Sequence, residues 1–420
     1  MKHPMSNVLM VLDKYFPEFP GGTEIYVRAL CKELSAHDFR PLVIYPCTSC
    51  DTITNYQWEG VEVFGVPAPN TGVSSTMLRD VLLKQGIQLI HYHVWNSGLP
   101  IALARLADEL GIEQVMTMHH PAMVCPIETG IKFDMRPCAG ARSFSECAAC
   151  MLHRRGLPVL LAKLLAPLRQ QLPELIFRRE SARLWKNISA FVSHARWMNG
   201  FLNVYGVTTD KIYHVPQQQY MVGEMQADHP KPYSRLDEKT VVGFLGRCRK
   251  IKGADLLIRA VMLLPRRYDV RVQIHFSGEP NKRNAFYTNV RALAEKDSRV
   301  AILPAIPPDE VISNIAEWDV MVISSRCMET GPFTLFEAAQ AGVPVIGADC
   351  SGIAEKIVHG KNGLLFAFND VASLAAQLRL ILDEPDLLDE LKRNASAVLS
   401  KEFGMRNVDV YRKVLSRTAK

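Results

Sequence analysis

Glu329 and Glu337 stand with seven residues between them in the stretch Asp319 to Ile346, DVMVISSRCMETGPFTLFEAAQAGVPVI. The stretch reads as strand, loop, helix, turn, strand. Asp319 to Ser325 is an apolar, β-branched run of strand length. Pro332 suits the first turn of a helix, where its missing N–H is no loss. Gly342 and Pro344 stop that helix, and Val343 to Ile346 starts the next strand. Glu329 then falls in the loop before the helix, and Glu337 more than one turn inside it. A helix N-terminus presents unbonded N–H groups and a partial positive charge, which suits phosphate. A carboxylate further along accepts hydrogen bonds from sugar hydroxyls. Phosphate at one end and hydroxyls at the other describe a nucleotide-sugar site. Taken alone, such a pair is more often a loop charge and a solvated helix residue. Its position after a buried-type strand, where open parallel sheets bind ligands, favours the site.

Three other groups of residues have suitable chemistry. Gly243-Phe-Leu-Gly-Arg247-Cys-Arg-Lys-Ile-Lys252-Gly253 runs from a strand into a loop that leads to a helix. Arg247 and Lys252 would project from the strand's carboxyl end, where cations neutralise the charge that develops on a departing diphosphate; the alternative is two solvated loop charges. Gly21-Gly22-Thr23-Glu24 follows the first strand and opens a helix, so the backbone can approach a ligand closely, unless the pair is simply a turn. His91, His93, His119 and His120 end first-half strands, as structural histidines or as contacts to substrate hydroxyls.

Cysteine supplies the last group. Cys125, Cys138, Cys147 and Cys150 fall in one segment broken by Pro126, Pro137 and Gly140. Four thiolates hold a tetrahedral zinc ion and tie down a loop with little core of its own. Free thiols, an iron–sulfur cluster, or the use of Cys47 and Cys50 as a ligand pair are the alternatives.

These residues need strands and helices to position them. Strand-like runs at Asn7–Leu12, Arg40–Tyr45, Val61–Val66, Ile87–His91, Val115–His119, Ala190–Ser193 and Ile212–Pro216 alternate with helical patterns such as Thr23–Leu34 and Leu99–Leu110. The pattern restarts with strands at Thr240–Leu245, Val270–Phe276, Val300–Leu303 and Asp319–Ser325. Helical patterns there cover Ala254–Leu264, Val371–Leu382, Pro385–Leu399 and Lys401–Ser416. Such alternation implies parallel sheets with helices on both faces. With 420 residues, two domains are expected. The expected division is an N-terminal domain over 1–218 with a Cys-containing insertion at about 121–186, and a linker over 219–238 that contains Pro230 and Pro232. A C-terminal domain over 239–400 and a final helix over 401–420 complete it.

At this point the resemblance is plain. The chain resembles a family 4 glycosyltransferase of the GT-B fold, an α/β architecture of two doubly wound, Rossmann-like domains facing across a cleft. The carriers are Gly21-Gly22, Thr117 to His120, Gly246-Arg247 with Lys252-Gly253, and the E-x7-E element; the likeness spans almost the whole length. It implies a retaining transfer from a nucleotide-diphosphate donor, a UDP- or GDP-sugar. By that analogy Arg247 and Lys252 bind the diphosphate, assisted by the amides around Gly331, Pro332, Phe333 and Thr334. Glu337 binds the ribose hydroxyls, Glu329 the donor sugar, and His119 matches the family's cleft histidine. Gly22 approaches the phosphates or the acceptor. The resemblance also implies that no protein nucleophile is usual in such enzymes and that the leaving phosphate takes the acceptor proton on the same face of the sugar. No Asp-x-Asp occurs in the chain, in keeping with transfer that requires no cofactor. The final helix of the family crosses back to the first domain. Some members carry a similar four-Cys insertion. Where the family often has Glu-Gly-Phe-Gly this chain has Glu329-Thr-Gly-Pro, Gln217-Gln218-Gln219 replaces an Asn-Gly, and Ala305 replaces a glycine, so donor identity is not legible.

Composition sets the remaining bounds. Hydrophobic residues make up 48% and charged residues 22%, as in a folded protein. The net charge of +6 equals the balance of residues 151–186 alone, where eight Lys and Arg outnumber Glu174 and Glu180. This segment, LPVLLAKLLAPLRQQLPELIFRRE at its centre, is apolar and basic. It reads either as a packed lid or as a peripheral membrane contact that suits a lipid-linked acceptor. No secretory signal and no apolar stretch of about 18 residues is visible, so a cytoplasmic protein, peripheral on the inner membrane face, is expected. No nucleic-acid partner is expected. The leading reading is transfer to a glycan or lipid-linked acceptor in cell-envelope polysaccharide or lipopolysaccharide assembly. A nucleotide-sugar epimerase and a non-catalytic metal-binding protein on the same fold are the alternatives.

Overall fold

The computed structural model describes residues 5–17, 21–48, 50–67, 75–95, 98–133, 135–138, 140, 143–169, 171–217, 239–278, 284–399 and 405–418. The linker expected at 219–238 lies outside them. The chain divides into two compact units, the first built from most of residues 1–221 together with 403–420, the second mostly from 222–402.

The first unit holds β1 (Ser6–Val11), β2 (Phe39–Cys47), β3 (Thr54–Trp58), β4 (Val61–Pro67), β5 (Ile87–Tyr92), β6 (Glu113–Met118), β7 (Ala190–Ser193) and β8 (Ile212–His214). They form one sheet in the order β3-β4-β2-β1-β5-β6-β7-β8. All pairs are parallel except β3–β4, which is antiparallel. The inner strands are apolar on both faces because helices cover both. Val8, Leu9, Met10 and Val11 of β1 are all buried. The helix Asn407–Thr418 packs on this unit: Val408, Tyr411 and Val414 join its core, and Asn407 Nδ2 donates to Tyr26 Oη at 2.7 Å.

The second unit holds β9 (Thr240–Gly246), β10 (Val270–Phe276), β11 (Val300–Leu303), β12 (Val320–Ile323), β13 (Val345–Ala348) and β14 (Gly363–Phe366). Its sheet is wholly parallel, in the order β11-β10-β9-β12-β13-β14. The helix Ala254–Leu263 buries Leu256, Leu257, Ile258, Ala260 and Val261 against it.

Each sheet reverses its order once, between β1 and β5 in the first unit and between β9 and β12 in the second. Loops leaving the carboxyl ends of two such strands diverge to opposite faces and leave a crevice between them. The glycine pair Gly21-Gly22 follows β1, and His91 and His93 end β5. Arg247 to Gly253 follows β9, and Ser324 to Pro332 follows β12.

Gly253 shows how tightly the last two loops meet. Its φ is +79°, and a Cβ there would lie 2.0 Å from the Ser324 carbonyl oxygen. Gly253→Ala would combine a left-handed backbone with a main-chain clash. It is expected to cost on the order of 2–4 kcal/mol of stability, read as a lowered midpoint in urea unfolding. An unchanged midpoint would mean the loops are free to part.

Candidate active site

The crevice of the second unit gathers most of the residues singled out from the sequence. Its two loops are stitched together before any ligand enters. Ser324 Oγ donates to the Gly253 carbonyl at 2.9 Å, and Arg326 N to the Ile251 carbonyl at 2.7 Å. The Arg326 guanidinium forks onto Asp255, at 2.6 and 3.0 Å, and its Nε donates to Asn369 Oδ1 at 2.6 Å. Bidentate geometry fixes direction as well as distance, so the basic loop is held rigidly beside the acidic one.

Lys252 Nζ and Glu329 Oε1 form an ion pair at 2.6 Å, with both side chains mostly buried. The same oxygen accepts from Ser325 Oγ at 2.9 Å and Cys327 Sγ at 3.4 Å. Burial works against both charges. For Lys252, the Glu329 carboxylate outweighs it and holds the ammonium's pKa above its ordinary value. For Glu329, the Lys252 charge and the hydrogen bonds from Lys252, Ser325 and Cys327 outweigh it and hold the carboxyl below its ordinary range. Both groups are therefore charged at neutral pH. Arg247 is exposed and close enough to oppose the charge on Lys252.

The main chain around Glu329 is also specified. Its N–H donates to Ser351 Oγ at 2.9 Å, and its carbonyl accepts from Gly352 N at 2.8 Å. Ser351 takes a φ of +57°, an uncommon conformation for a serine and one that occurs where local structure is over-determined. Two residues on, Gly331 has a φ of +148° and leads into Pro332.

The helix runs Phe333–Gln340, and Pro332 is its N-cap rather than part of its first turn. Pro332 has an extended ψ of 139°, so the chain enters the helix one residue later than the proline rule places it. Pro332 makes no side-chain cap here, and the first turn of such a helix offers N–H groups, at Phe333 and Thr334, of the kind an anion requires. Glu337, one turn further, is half-buried. Burial pushes its carboxyl up to about 7. Such a carboxyl stays poorly solvated until a ligand supplies hydrogen-bond donors.

In the first unit, Gly22 begins the helix Gly22–Ser35, with Gly21 as its uncapped N-cap. His119 lies just past β6 and is buried. Its Nε2 is 2.9 Å from His93 Nδ1, and its ring packs edge-on against Tyr26 at 4.9 Å. His91, fully buried, joins Thr117 Oγ1 at 2.7 Å and also the Tyr411 hydroxyl. Burial lowers the pKa of His91, His93 and His119 well below the ordinary histidine value, and the neighbouring histidines reinforce this. His119 is thus a neutral imidazole. Gly22 and His119 belong to the first unit, and Arg247, Lys252, Glu329, Gly331, Pro332, Phe333, Thr334 and Glu337 to the second.

Comparison with known proteins follows the same division. The family described as "Glycosyl transferase 4-like domain" matches residues 21–159, and "Glycosyl transferases group 1" matches 225–398. The chain belongs to the family 4 glycosyltransferases of the GT-B fold. It is 26% identical over 413 residues to a D-inositol 3-phosphate glycosyltransferase of Pseudarthrobacter chlorophenolicus, an alignment that covers 91% of this chain and 87% of that protein. A sucrose-phosphate synthase from Thermosynechococcus elongatus superposes with a TM-score of 0.68 at 15% identity, covering 99% of both chains. Anabaena Alr3699/HepE, solved in complex with UDP-glucose, superposes with a TM-score of 0.66 at 15% identity, covering 98% of this chain and 99% of that one.

Several residues of the glycosyltransferase site were not singled out from sequence. Arg326 clamps the two loops. Ser351 orients the Glu329 main chain. Lys356 reaches the same corner: its side chain lies beside Gly331 and its ammonium is 5.6 Å from the centre of the Phe336 ring. Burial lowers its pKa. In the first unit, Glu24 sits in the first turn of the helix after the glycine pair, and burial raises its carboxyl pKa. Only Glu24, a charged residue within an apolar helical pattern, offers a signal in the sequence.

The cysteine segment of the glycosyltransferase forms the helix Phe144–Arg154 and a small core of its own, with Ala148, Ala149, Met151, Ala166 and Leu175 buried together. All ten cysteines are free thiols. Burial raises the Cys147 pKa to about 12, and Cys125, Cys150 and Cys138, in that order, add to it. The four sulfurs therefore share one neighbourhood, and four soft thiols suit zinc chemically. Among the described residues, however, no three His, Cys, Asp or Glu stand in an arrangement that could hold a metal ion.

Proposed function

We propose that this chain is a retaining, metal-independent glycosyltransferase that moves a sugar from a nucleoside-diphosphate donor to a glycan or lipid-linked acceptor in cell-envelope polysaccharide assembly at the cytoplasmic side of the membrane. The observation that carries this reading is the convergence of Lys252, Glu329 and the uncapped Phe333 helix at the switch point of the second sheet. A donor diphosphate entering there takes Glu329's place as the partner of Lys252, and Arg247 adds a second cation. First-turn N–H groups at Phe333 and Thr334 complete the anion cradle. The released Glu329 carboxylate accepts hydrogen bonds from the donor sugar, and Glu337 from the ribose.

As the glycosidic bond to phosphate breaks, negative charge grows on the leaving oxygen. The fixed cations and dipoles stabilise this charge without reorganising, which lowers the barrier to transfer. The leaving phosphate takes the acceptor hydroxyl's proton on the same face of the sugar, so the anomeric configuration is retained. His119, neutral and hydrogen-bonded through Nε2, orients substrate hydroxyls and takes no part in proton transfer. Relatives that act on an inositol phosphate and neighbours solved with UDP-glucose support a nucleotide-sugar donor and a hydroxyl acceptor.

A panel of nucleotide sugars tests the reading. One class of UDP- or GDP-sugar is expected to raise the melting temperature by mass action and to turn over with retained configuration in the presence of chelator. A panel in which none stabilises the protein would reject the donor site.

We propose Cys125, Cys138, Cys147 and Cys150 as the ligands of a structural zinc on their chemistry alone: the four thiols share one neighbourhood, although among the described residues they do not stand in a metal-binding arrangement. Those four side chains would hold the ion as thiolates, and the cross-link would stabilise a segment with little core of its own. Metal analysis of protein purified without chelator is expected to find about one zinc per chain, and Cys147→Ser to lose it together with stability. Donor binding is expected to survive in that variant. Protein free of zinc and iron would end the idea.

A further inference from the structure

The insertion contains a helix turned inside out. Val159–Leu165 continues as a tight helical turn, Ala166–Arg169. Ala162 and Ala166 face inward against the helix Phe144–Arg154, at 1% and 2% exposure. Leu160, Leu164 and Leu168, spaced four apart on one face, are 83%, 73% and 77% exposed. Leu161 and, on the helix Pro173–Leu184, Ile176 are also exposed. An ordinary surface helix buries its leucines and exposes its small residues. This one is packed by two alanines, and its large apolar side chains lie where a soluble helix carries charge.

The segment is basic. Arg154, Lys163, Arg169, Arg183 and Lys186 are exposed. The two acidic residues of 151–186 are both ion-paired, Glu174 with Arg155 at 2.8 Å and Glu180 with Arg105. Arg178 is not among the exposed cations, because it is buried and donates to the Ala122, Met123 and Cys125 carbonyls. Exposed leucines and exposed cations on one segment match the two layers of an anionic lipid surface, acyl chains below and phosphate headgroups above. Long Lys and Arg stems reach headgroups while their carbon chains stay apolar. Among the described residues no helix is long and apolar enough to cross a membrane, so the contact is peripheral.

We infer that the leucine face of Val159–Arg169 inserts shallowly into an anionic membrane, with Lys163 and Arg169 on headgroup phosphates. The inference does not depend on the transfer chemistry, and its test is separable from that of the donor site. Full-length protein is floated with vesicles of phosphatidylcholine alone and of phosphatidylcholine with phosphatidylglycerol. Binding is expected only with phosphatidylglycerol, weakening as salt rises. Leu160→Ser, Leu164→Ser and Leu168→Ser combined are expected to lower partitioning at least about tenfold, with stabilisation by nucleotide sugar unchanged. These side chains make few contacts, so the variant folds; Lys163→Glu with Arg169→Glu is the independent second variant, expected to remove the preference for anionic lipid. Wild-type protein that fails to float with anionic vesicles would overturn the proposal. So would a leucine variant that floats as well as wild type, or light scattering showing a dimer that the serine substitutions dissociate while vesicles are ignored. Equal binding to both vesicle types would overturn the anionic assignment.

Discussion

Lys252→Ala is expected to lower turnover with a nucleotide-sugar donor by about a hundredfold or more, the usual cost of removing one preorganised group that stabilises leaving-group charge. The variant is also expected to be less stable, for a separate reason. Lys252 is the ion-pair partner of Glu329, and both are mostly buried. Removing one member of such a pair leaves an uncompensated charge and costs roughly 3–5 kcal/mol, whereas replacing both by neutral groups of similar shape costs little. The two effects separate in a double variant. Lys252→Met with Glu329→Gln is expected to recover most of the lost stability in urea unfolding and none of the lost turnover. Near-normal kinetics in Lys252→Ala would reject the diphosphate role. Recovered turnover in the double variant would show that Lys252 only neutralises Glu329. Donor binding must break a 2.6 Å contact, which keeps small anions from settling on Lys252 alone.

What the sequence discloses here follows from how each element is buried. Strands covered on both faces read as short apolar runs, and Ala190–Ser193, Val270–Phe276 and Val300–Leu303 are observed with the bounds read from sequence. The polar edge strand Thr54–Trp58 gives no such run, because most of its residues face solvent and its antiparallel pairing needs only one neighbour. Gly363–Phe366 is too short to stand out. The basic loop and the E-x7-E element were legible because each lies within one strand–loop–helix unit. The ion pair that joins them was not. Lys252 and Glu329 are 77 residues apart, and only the adjacency of β9 and β12 brings their loops together. Arg326 and Ser351 are hidden for the same reason. The leucine helix is the opposite case. Its residues read as ordinary core, and only the packing of Ala162 and Ala166 reveals which side faces out.

Glu337→Gln is expected to stabilise the empty protein at pH 8 while weakening donor binding. Burial pushes the Glu337 carboxyl up to about 7 from an ordinary 4.5. Its folded form therefore binds a proton more tightly than its unfolded form, and stability falls as pH rises from about 4.5 through about 7. At about 1.4 kcal/mol per unit, the ionised side chain costs the empty protein on the order of 1–3 kcal/mol at pH 8, a cost the amide removes. The pH-dependent part of the stability difference between variant and wild type should vanish below the ordinary 4.5, where Glu337 is protonated in both states. Ligand binding should run the other way. Ribose hydroxyls donate best to the carboxylate, so affinity for a nucleotide sugar should rise as pH increases through 7, and binding should release a proton near neutrality. The amide lacks that charge-assisted bond, which is worth about 1.5–3 kcal/mol, roughly ten- to hundredfold in affinity. Nucleotide sugars suit the measurement because their phosphodiester groups have no proton to lose near pH 7. Calorimetry in buffers of differing ionisation enthalpy counts the protons directly. Wild-type binding with no proton release, or a Glu337→Gln variant that binds with unchanged affinity, would place the ribose somewhere other than on this helix.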